Sequence, residues 1–142
     1  MNVDVTFQNT GGVRSTLNEG DITNREIFEI SPFNNNTVIY KMTVTEIKDF
    51  LKGSGSGFYF SGIIIEQKGN SIEIKDLNNT IIPDTSILSI GTNDYIPAVY
   101  DNYFPSNGNV QLLTAAETVI SYLKNNNDQV NYPNCDHYFK YQ

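Results

Sequence analysis

The chain is poor in the residues that most often mark a chemically defined site. It has one cysteine, Cys135, and one histidine, His137, among 142 residues. A single cysteine cannot form an internal disulfide, which fits either a reducing compartment or a secreted domain without disulfides. A single histidine cannot supply the several nitrogen and oxygen ligands of a dinuclear metal site. Cys135 and His137 leave open an isolated metal half-site or, more simply, a histidine in a surface loop.

Positive charge and long apolar runs are also scarce. Nine Lys and Arg residues stand against 16 Asp and Glu residues, which gives a formal net charge of −7. Unaided nucleic-acid binding is therefore not expected, because it depends on clustered cations. No apolar run approaches the ~20 residues that span a bilayer, and no signal-peptide pattern is visible at the start. The sequence also lacks a P-loop, a G-x-G-x-x-G motif and a serine in a nucleophile elbow.

What is present indicates one soluble globular domain over residues 1–142. Hydrophobic residues make up 39% of the chain and charged residues 18%, which is ordinary for a globular protein of this length. Three T-x-x-E capping boxes, at residues 23–26, 43–46 and 114–117, predict the starts of three helices. These helices are expected to end near residues 29, 52 and 123, and Ile47, Phe50 and Leu51 form an apolar face on the second.

Strand signals lie between and around these helices. β-Branched and aromatic residues predict the strands, and the residues between the third and fourth strands suggest a hairpin turn at 68–70. The predicted strands cover residues 3–7, 37–42, 58–66, 71–76 and 85–90, and residues 128–142 are expected to be extended. Because many strands are linked by hairpins rather than by helices, the sequence predicts an α+β fold with a mixed sheet and packed helices.

The motif N-T-G-G-V-R at residues 9–14 directly follows the first predicted strand. Gly11 and Gly12 permit a sharp turn, and they also let a ligand approach the backbone closely. Arg14 offers a planar fork of donors that suits phosphate or carboxylate. A plain turn and a surface salt bridge of Arg14 remain the simpler alternatives.

Further motifs follow in a defined order: G-D-I-T at residues 20–23, P-F-N-N at 32–35 and T-N-D-Y at 92–95. Together with residues 9–14 they resemble the C-terminal domain of the 5'-nucleotidase / UDP-sugar hydrolase family over about residues 3–123. The resemblance implies an α+β domain that supplies a nucleotide pocket. Hydrolysis is implied to belong to an N-terminal metallophosphatase domain with a divalent metal pair, so no catalytic or metal-binding residue is expected in this chain.

The resemblance also assigns roles to individual residues. Arg14 would reach the substrate phosphate or its neighbourhood, and Phe33 and Tyr95 would stack on the two faces of the base. Asn35 would hydrogen-bond the base, and Asp101 would accept from the ribose hydroxyls. Gly11 and Gly12 complete the set of candidate substrate-binding residues. Without the resemblance, Phe33 would be interpreted as a core residue after a proline turn.

Two departures from the family pattern carry consequences. The family usually has G-G-D-G-Y where this chain has V-Y-D-N-Y at residues 99–103. The loss of glycines restricts the backbone and adds bulk beside the pocket. Family domains also usually begin with a helix and further basic residues ahead of the first strand. The sequence is therefore expected to be truncated there or to be a shortened relative, with weaker phosphate binding.

The sequence thus favours a substrate-recognition domain that presents a nucleotide to metals on another domain or chain, itself inactive in isolation. The first alternative is a non-catalytic binding or scaffold module that has lost nucleotide binding. A further alternative is an independent hydrolase that uses acidic residues and His137. By the resemblance, the expected location is periplasmic or at the cell surface.

Overall fold

The protein is described by a computed structural model that covers residues 2–126, 129–131 and 137–142. A six-stranded sheet forms its centre, and a separate two-stranded hairpin packs beside it. The elements in chain order are β1 (Val5–Asn9), α1 (Asn24–Ile30), β2 (Asn36–Thr43), α2 (Val44–Gly53), β3 (Gly57–Ser61), β4 (Ile64–Lys68), β5 (Ser71–Lys75), β6 (Ile87–Asn93), α3 (Tyr95–Val99), β7 (Asn109–Thr114), α4 (Ala115–Asn125) and β8 (Tyr138–Lys140).

The sheet is mixed, as the sequence predicts. Its strand order is β7-β2-β6-β1-β3-β8. Strands β1 and β6 are parallel, whereas the other neighbouring pairs are antiparallel. The α+β prediction is therefore confirmed. Because β1 and β6 lie side by side and run in the same direction, the segments that follow them leave the sheet at the same end, where both strands have their C-termini. This end is called the edge of the sheet.

All three predicted capping boxes are present. In each, the threonine side chain accepts from the backbone N–H of the glutamate three residues later, and the glutamate accepts from the threonine backbone. These reciprocal bonds satisfy donors that a helix start otherwise leaves free. They also hold the pKa of Glu26 and of Glu117 below the ordinary value, since the backbone and hydroxyl of the capping threonine donate to each carboxylate.

The main core lies between one face of the sheet, α2 and the β4–β5 hairpin. Ile47, Phe50 and Leu51 of α2 are fully buried, as their helical spacing predicts. The ring of Phe50 lies 4.8 Å from that of Phe58 and 5.7 Å from that of Phe7, centroid to centroid. This aromatic cluster packs α2 onto β1 and β3 in the middle of the sheet.

The prediction of one strand over residues 58–66 is wrong. The segment forms β3 and β4, which belong to different sheets. The chain turns at Gly62, whose φ is +95°, and a Cβ there would overlap the backbone carbonyl oxygen of Asp4. Only glycine adopts such a conformation at so close an approach. The hairpin turn predicted at residues 68–70 is present, between β4 and β5.

The opposite face of the sheet is covered more thinly, by α1 and α4. Thr6 and Gln8 alternate with the core residues of β1 and therefore point to this side. On α4 only Ala116 is fully buried, and Val119 is exposed. None of the helices in the described residues is both long and apolar enough for a membrane crossing.

Candidate functional site

Arg14 and Phe33 are brought together at the edge of the sheet. A three-residue 3-10 turn, Thr10–Gly12, follows β1, and the Arg14 backbone N–H then donates to the carbonyl of Ile30 at the end of α1 (2.8 Å). The Arg14 guanidinium carbon lies 5.6 Å from the centroid of the Phe33 ring, within the range of a cation–π contact. The two loops therefore form one surface that carries a cation and an aromatic face.

Within the described part of the chain, neither residue follows its simpler interpretation as a core residue or a salt-bridge partner. The Phe33 side chain is 43% exposed, so it is not a core residue. None of the ion pairs formed among the described residues includes Arg14. The prediction that they bind substrate stays a prediction, but the ring and the guanidinium are both accessible to a ligand.

Gly11 and Gly12 of the N-T-G-G-V-R motif differ in how much space there is for a side chain. A Cβ at Gly12 would overlap the side-chain nitrogen of Gln8 and come within 2.9 Å of the Asn9 side-chain oxygen. A Cβ at Gly11 would meet nothing closer than 3.8 Å. Neither glycine has a positive φ. A side chain at position 12 would therefore have to displace the side chains of Gln8 and Asn9, whereas Gly11 leaves its backbone open.

Asn35 is tied to the residue that precedes Tyr95. The Asn35 side-chain Nδ2 donates to Oδ1 of Asp94 (2.7 Å), and the Asn35 carbonyl accepts from the N–H of Ala115 (2.9 Å). The other carboxylate oxygen of Asp94 accepts from the Asn36 backbone N–H (3.1 Å). Asp94 therefore joins the loop of Phe33 and Asn35 to the start of α3.

Tyr95 begins α3 and is 48% exposed. The residue two before it, Asn93, is buried and joins this helix to the end of β1. Its Nδ2 donates to the side-chain oxygens of Asn9 (2.7 Å) and Gln8 (3.2 Å), and its Oδ1 accepts from the backbone N–H of Ile96 (3.2 Å). The backbone at the start of α3, which carries Tyr95, is consequently held by a network that reaches the end of β1 before the glycine turn.

Asn93 and Asp94 are functional candidates that sequence reasoning missed. Both lie in the T-N-D-Y motif, from which only Tyr95 was assigned a role. Thr92 completes the pattern, because its hydroxyl donates to the carbonyl of Phe7 (3.1 Å). Thr92 thus links β6 to β1, and Asn93 links α3 to β1. Asp94 links α3 to the loop that carries Phe33 and Asn35.

Asp101 lies apart from this network. It begins the 3-10 turn Asp101–Tyr103 and is exposed. Within the described part of the chain, its carboxylate has no hydrogen bond or ion pair with Arg14, Asn35 or Tyr95. The structure therefore joins Arg14 to Phe33 and Asn35 to Tyr95 through Asp94, but it does not join Asp101 to either group.

The departure from G-G-D-G-Y is accommodated without a strained backbone. Among described residues, the only non-glycine with a positive φ is Asn79, which lies outside this segment. Tyr100 packs into the core, where its ring lies 5.8 Å from Phe50 and 5.7 Å from Phe58, and its hydroxyl donates to Ser56 (2.6 Å). The bulk of Tyr100 is thus placed in the core, whereas Val99 is exposed. That the lost glycines add bulk beside the pocket stays a prediction.

The site is an open surface on this chain. A cavity of about 340 Å³ lies between the sheet and α4 and is lined in part by Gly12, Thr92 and Asn93. Arg14, Phe33, Asn35, Tyr95 and Asp101 do not line it. The five candidate residues therefore lie outside this cavity.

The described residues around His137 do not form a second site. His137 is exposed, and its ring lies edge-on to Phe60 at 6.0 Å, as expected for a surface loop. Cys135 lies outside the described residues. Within residues 2–126, 129–131 and 137–142, no three His, Cys, Asp or Glu side chains are grouped closely enough to hold a metal ion. The described residues therefore do not fit the metal pair that phosphoester hydrolysis would use.

Comparison with protein families matches residues 1–106 to the family described as 5'-nucleotidase, C-terminal domain. The NAD 5'-nucleotidase of Haemophilus influenzae is 29% identical over 71% of this chain and 20% of that protein. The 5'-nucleotidase of Vibrio cholerae is 30% identical over 56% of this chain and 15% of that protein. The chain thus spans about a fifth or less of the length of these curated relatives.

Solved structures agree with this match. The structure of the Haemophilus influenzae NAD nucleotidase superimposes with a TM-score of 0.69 at 25% identity and covers 87% of this chain and 27% of that one. The 5'-nucleotidase precursor of Thermus thermophilus gives a TM-score of 0.71 over 86% of this chain and 28% of that one. Its identity of 20% supports the fold alone.

Proposed function

Because this chain belongs to the family of 5'-nucleotidase C-terminal domains, we propose that it is the substrate-recognition domain of a 5'-nucleotidase-type phosphohydrolase. It binds the base of a nucleotide or nucleoside between Phe33 and Tyr95. It presents the phosphate to a divalent metal pair on an N-terminal metallophosphatase domain or a separate chain. The isolated chain is inactive, since binding energy at the base only positions the reacting group.

The observation that carries the proposal is the link made by Asp94. Its backbone N–H donates to the Asn36 carbonyl (2.9 Å), and its carboxylate accepts from Asn35 and Asn36. Two exposed residues, Phe33 on a loop and Tyr95 at the start of α3, are therefore carried on segments that are joined to each other by hydrogen bonds. Exposed aromatic faces on a rigid frame suit stacking on a base, which is worth about 1–3 kcal/mol per base.

Arg14 supports the phosphate part of the proposal. It is a permanent cation that lies over the Phe33 ring and takes part in no ion pair of the described residues. A guanidinium next to a stacked base can form charge-assisted hydrogen bonds with a nearby phosphate. Asp101 remains a candidate for the ribose hydroxyls, and Gly11 and Gly12 for backbone contacts at the same edge.

Calorimetric titration of adenosine and AMP into the metal-free chain tests the base site. We expect Phe33→Ala and Tyr95→Ala each to weaken binding about 5- to 150-fold, the equivalent of one stacking contact. Phe28→Ala is the matched control, because Phe28 is 44% exposed but lies on α1 outside the site. Equal losses in all three variants, or no binding to the unmodified chain at millimolar ligand, would refute the base site and favour a scaffold module.

The same titration tests Arg14. AMP should bind more tightly than adenosine, and Arg14→Ala should remove that difference. The control is Arg25→Ala, which changes the only other arginine, one that pairs with Glu29 on α1. A preference for AMP that survives Arg14→Ala would assign phosphate binding elsewhere.

Two further parts of the proposal concern the whole protein. Phosphate release from AMP by the isolated chain, insensitive to chelators and lost in His137→Ala, would instead support an independent hydrolase. We also propose a periplasmic or cell-surface location, by analogy with the family. Fractionation of cells that express the intact gene tests this, and recovery in the cytosol would contradict it.

A further inference from the structure

We propose that Asp94 is a specificity-determining positioning residue that fixes which end of the Asn35 amide meets the base. By accepting a hydrogen bond from the side-chain NH2 group of Asn35, Asp94 directs the side-chain oxygen Oδ1 of Asn35 to the ligand. The site therefore selects bases that offer an N–H donor. This inference rests on the proposed function, because it requires a nucleobase beside Asn35.

The chemistry of the contact fixes the orientation of the amide. An ionised carboxylate can only accept hydrogen bonds, so the Asn35 atom 2.7 Å from Asp94 Oδ1 must be Nδ2. A 180° flip of the amide would place two acceptors against each other. The opposite end of the amide is Oδ1, which forms no hydrogen bond with any described residue and is not among the buried unpaired atoms.

Both partners of the contact are themselves held in place. The second oxygen of Asp94 accepts from the Asn36 backbone N–H (3.1 Å) and from Asn36 Nδ2 (3.3 Å). The backbone of Asn35 is fixed by the hydrogen bond from Ala115. The carboxylate therefore cannot rotate away without breaking contacts, and the amide presents one polarity rather than two.

This polarity has a consequence for recognition. An asparagine that is free to flip can meet either a donor or an acceptor on a base edge, and so discriminates little. When Asn35 Oδ1 is fixed in place, it accepts a hydrogen bond from an exocyclic amino group or a ring N–H. It repels a ring nitrogen that carries no hydrogen, because both atoms are acceptors. One such hydrogen bond corresponds to a preference of about 2- to 10-fold between otherwise similar bases.

The test compares adenosine with purine riboside, which has the same ring system without the exocyclic amino group. Both are titrated into the chain and into Asp94→Asn. The unmodified chain should prefer adenosine about 2- to 10-fold. In Asp94→Asn the ratio should fall towards one, because an asparagine there can face either end of the Asn35 amide.

The selectivity ratio separates positioning from a general structural effect. Damage to the loops weakens both ligands together and leaves their ratio unchanged. Asp49→Asn is the matched control, since Asp49 is an exposed carboxylate on α2 and the variant has the same charge change. Asp94→Ser repeats the test if the asparagine variant does not fold, and Asn35→Ala should also give a ratio near one.

The outcomes distinguish this inference from the function on which it rests. If neither ligand binds the unmodified chain, the proposed function fails and this inference fails with it. If both bind but equally, or if purine riboside binds more tightly, the nucleobase site stands and the role of Asp94 is refuted. A wild-type ratio that persists in Asp94→Asn refutes it equally.

Discussion

Replacement of Asn93 by alanine should destabilise the fold more than its polar, loop-like sequence position suggests. The side chain is only 4% exposed, and it donates to Asn9 and Gln8 while accepting from the backbone N–H of Ile96. Alanine leaves that buried N–H without an acceptor, which costs about 1–3 kcal/mol. With the two lost side-chain bonds, the expected loss is about 2–4 kcal/mol in the free energy of unfolding.

Urea unfolding followed by circular dichroism measures this loss. For a slope of about 2 kcal/mol per M, the midpoint should fall by about 1 to 2 M while the slope is unchanged. A small domain has about 5–15 kcal/mol of stability, so the variant should remain folded without urea. Nucleoside binding can then be measured on it, and we expect it to be weakened because Asn93 fastens α3, and with it Tyr95, to β1.

The control is Asn78→Ala, which removes an exposed asparagine whose side chain forms no hydrogen bond with the described residues. It should change stability by less than about 0.5 kcal/mol. If Asn93→Ala costs no more than this control, the Asn93 network does not hold the two elements together. The start of α3, which carries Tyr95, would then be held by other contacts.

Two other predictions concern the frame of the domain. Gly55 and Gly62 both have a positive φ, but only at Gly62 would a Cβ meet other atoms, namely the Asp4 carbonyl. Gly55→Ala should therefore cost about 1–2 kcal/mol in thermal or urea unfolding, and Gly62→Ala about 1–3 kcal/mol more, so that equal losses would contradict the steric argument. The second concerns pH: hydrogen bonds from the side chain and backbone of Ser89 lower the pKa of Asp4 in the folded state. Its stabilisation should be fully present above the unfolded pKa of about 3.9 and should disappear as pH falls through the folded value. The unmodified chain should thus be more stable than Asp4→Asn at neutral pH but not at low pH, whereas a difference independent of pH would exclude this cause.

The sequence predicts local structure well wherever a short motif contains its own partners. The capping boxes that begin with Thr23, Thr43 and Thr114 each need only a glutamate three residues away, and all three are present. The strand prediction failed at Gly62, because the turn there depends on the approach of Asp4, 58 positions earlier in the chain (62 minus 4). Residue propensities and the alternation of apolar and polar residues do not predict a contact between residues so far apart in the chain.

The candidate site divides in the same way. The residues with a recognisable chemistry, such as Arg14, Phe33 and Tyr95, could be selected by motif and order alone. The residues that connect them could not, because the bond from Asn35 to Asp94 spans 59 positions and that from Asn93 to Asn9 spans 84. An aspartate or asparagine before an aromatic residue carries no local signal of the loop that it will hold.

The parallel pair of β1 and β6 has a consequence for how the chain folds. Val5 pairs with Ile90, and the hydrogen bond of Thr92 to Phe7 joins residues 85 positions apart. The centre of the sheet therefore depends on closing a long loop, which slows folding relative to domains built from local contacts. During synthesis, β1 must emerge and wait until β6 has left the ribosome before its pairing can be completed. We expect the newly made N-terminal half to expose apolar strand surface in that interval, and to need protection from aggregation until β6 arrives.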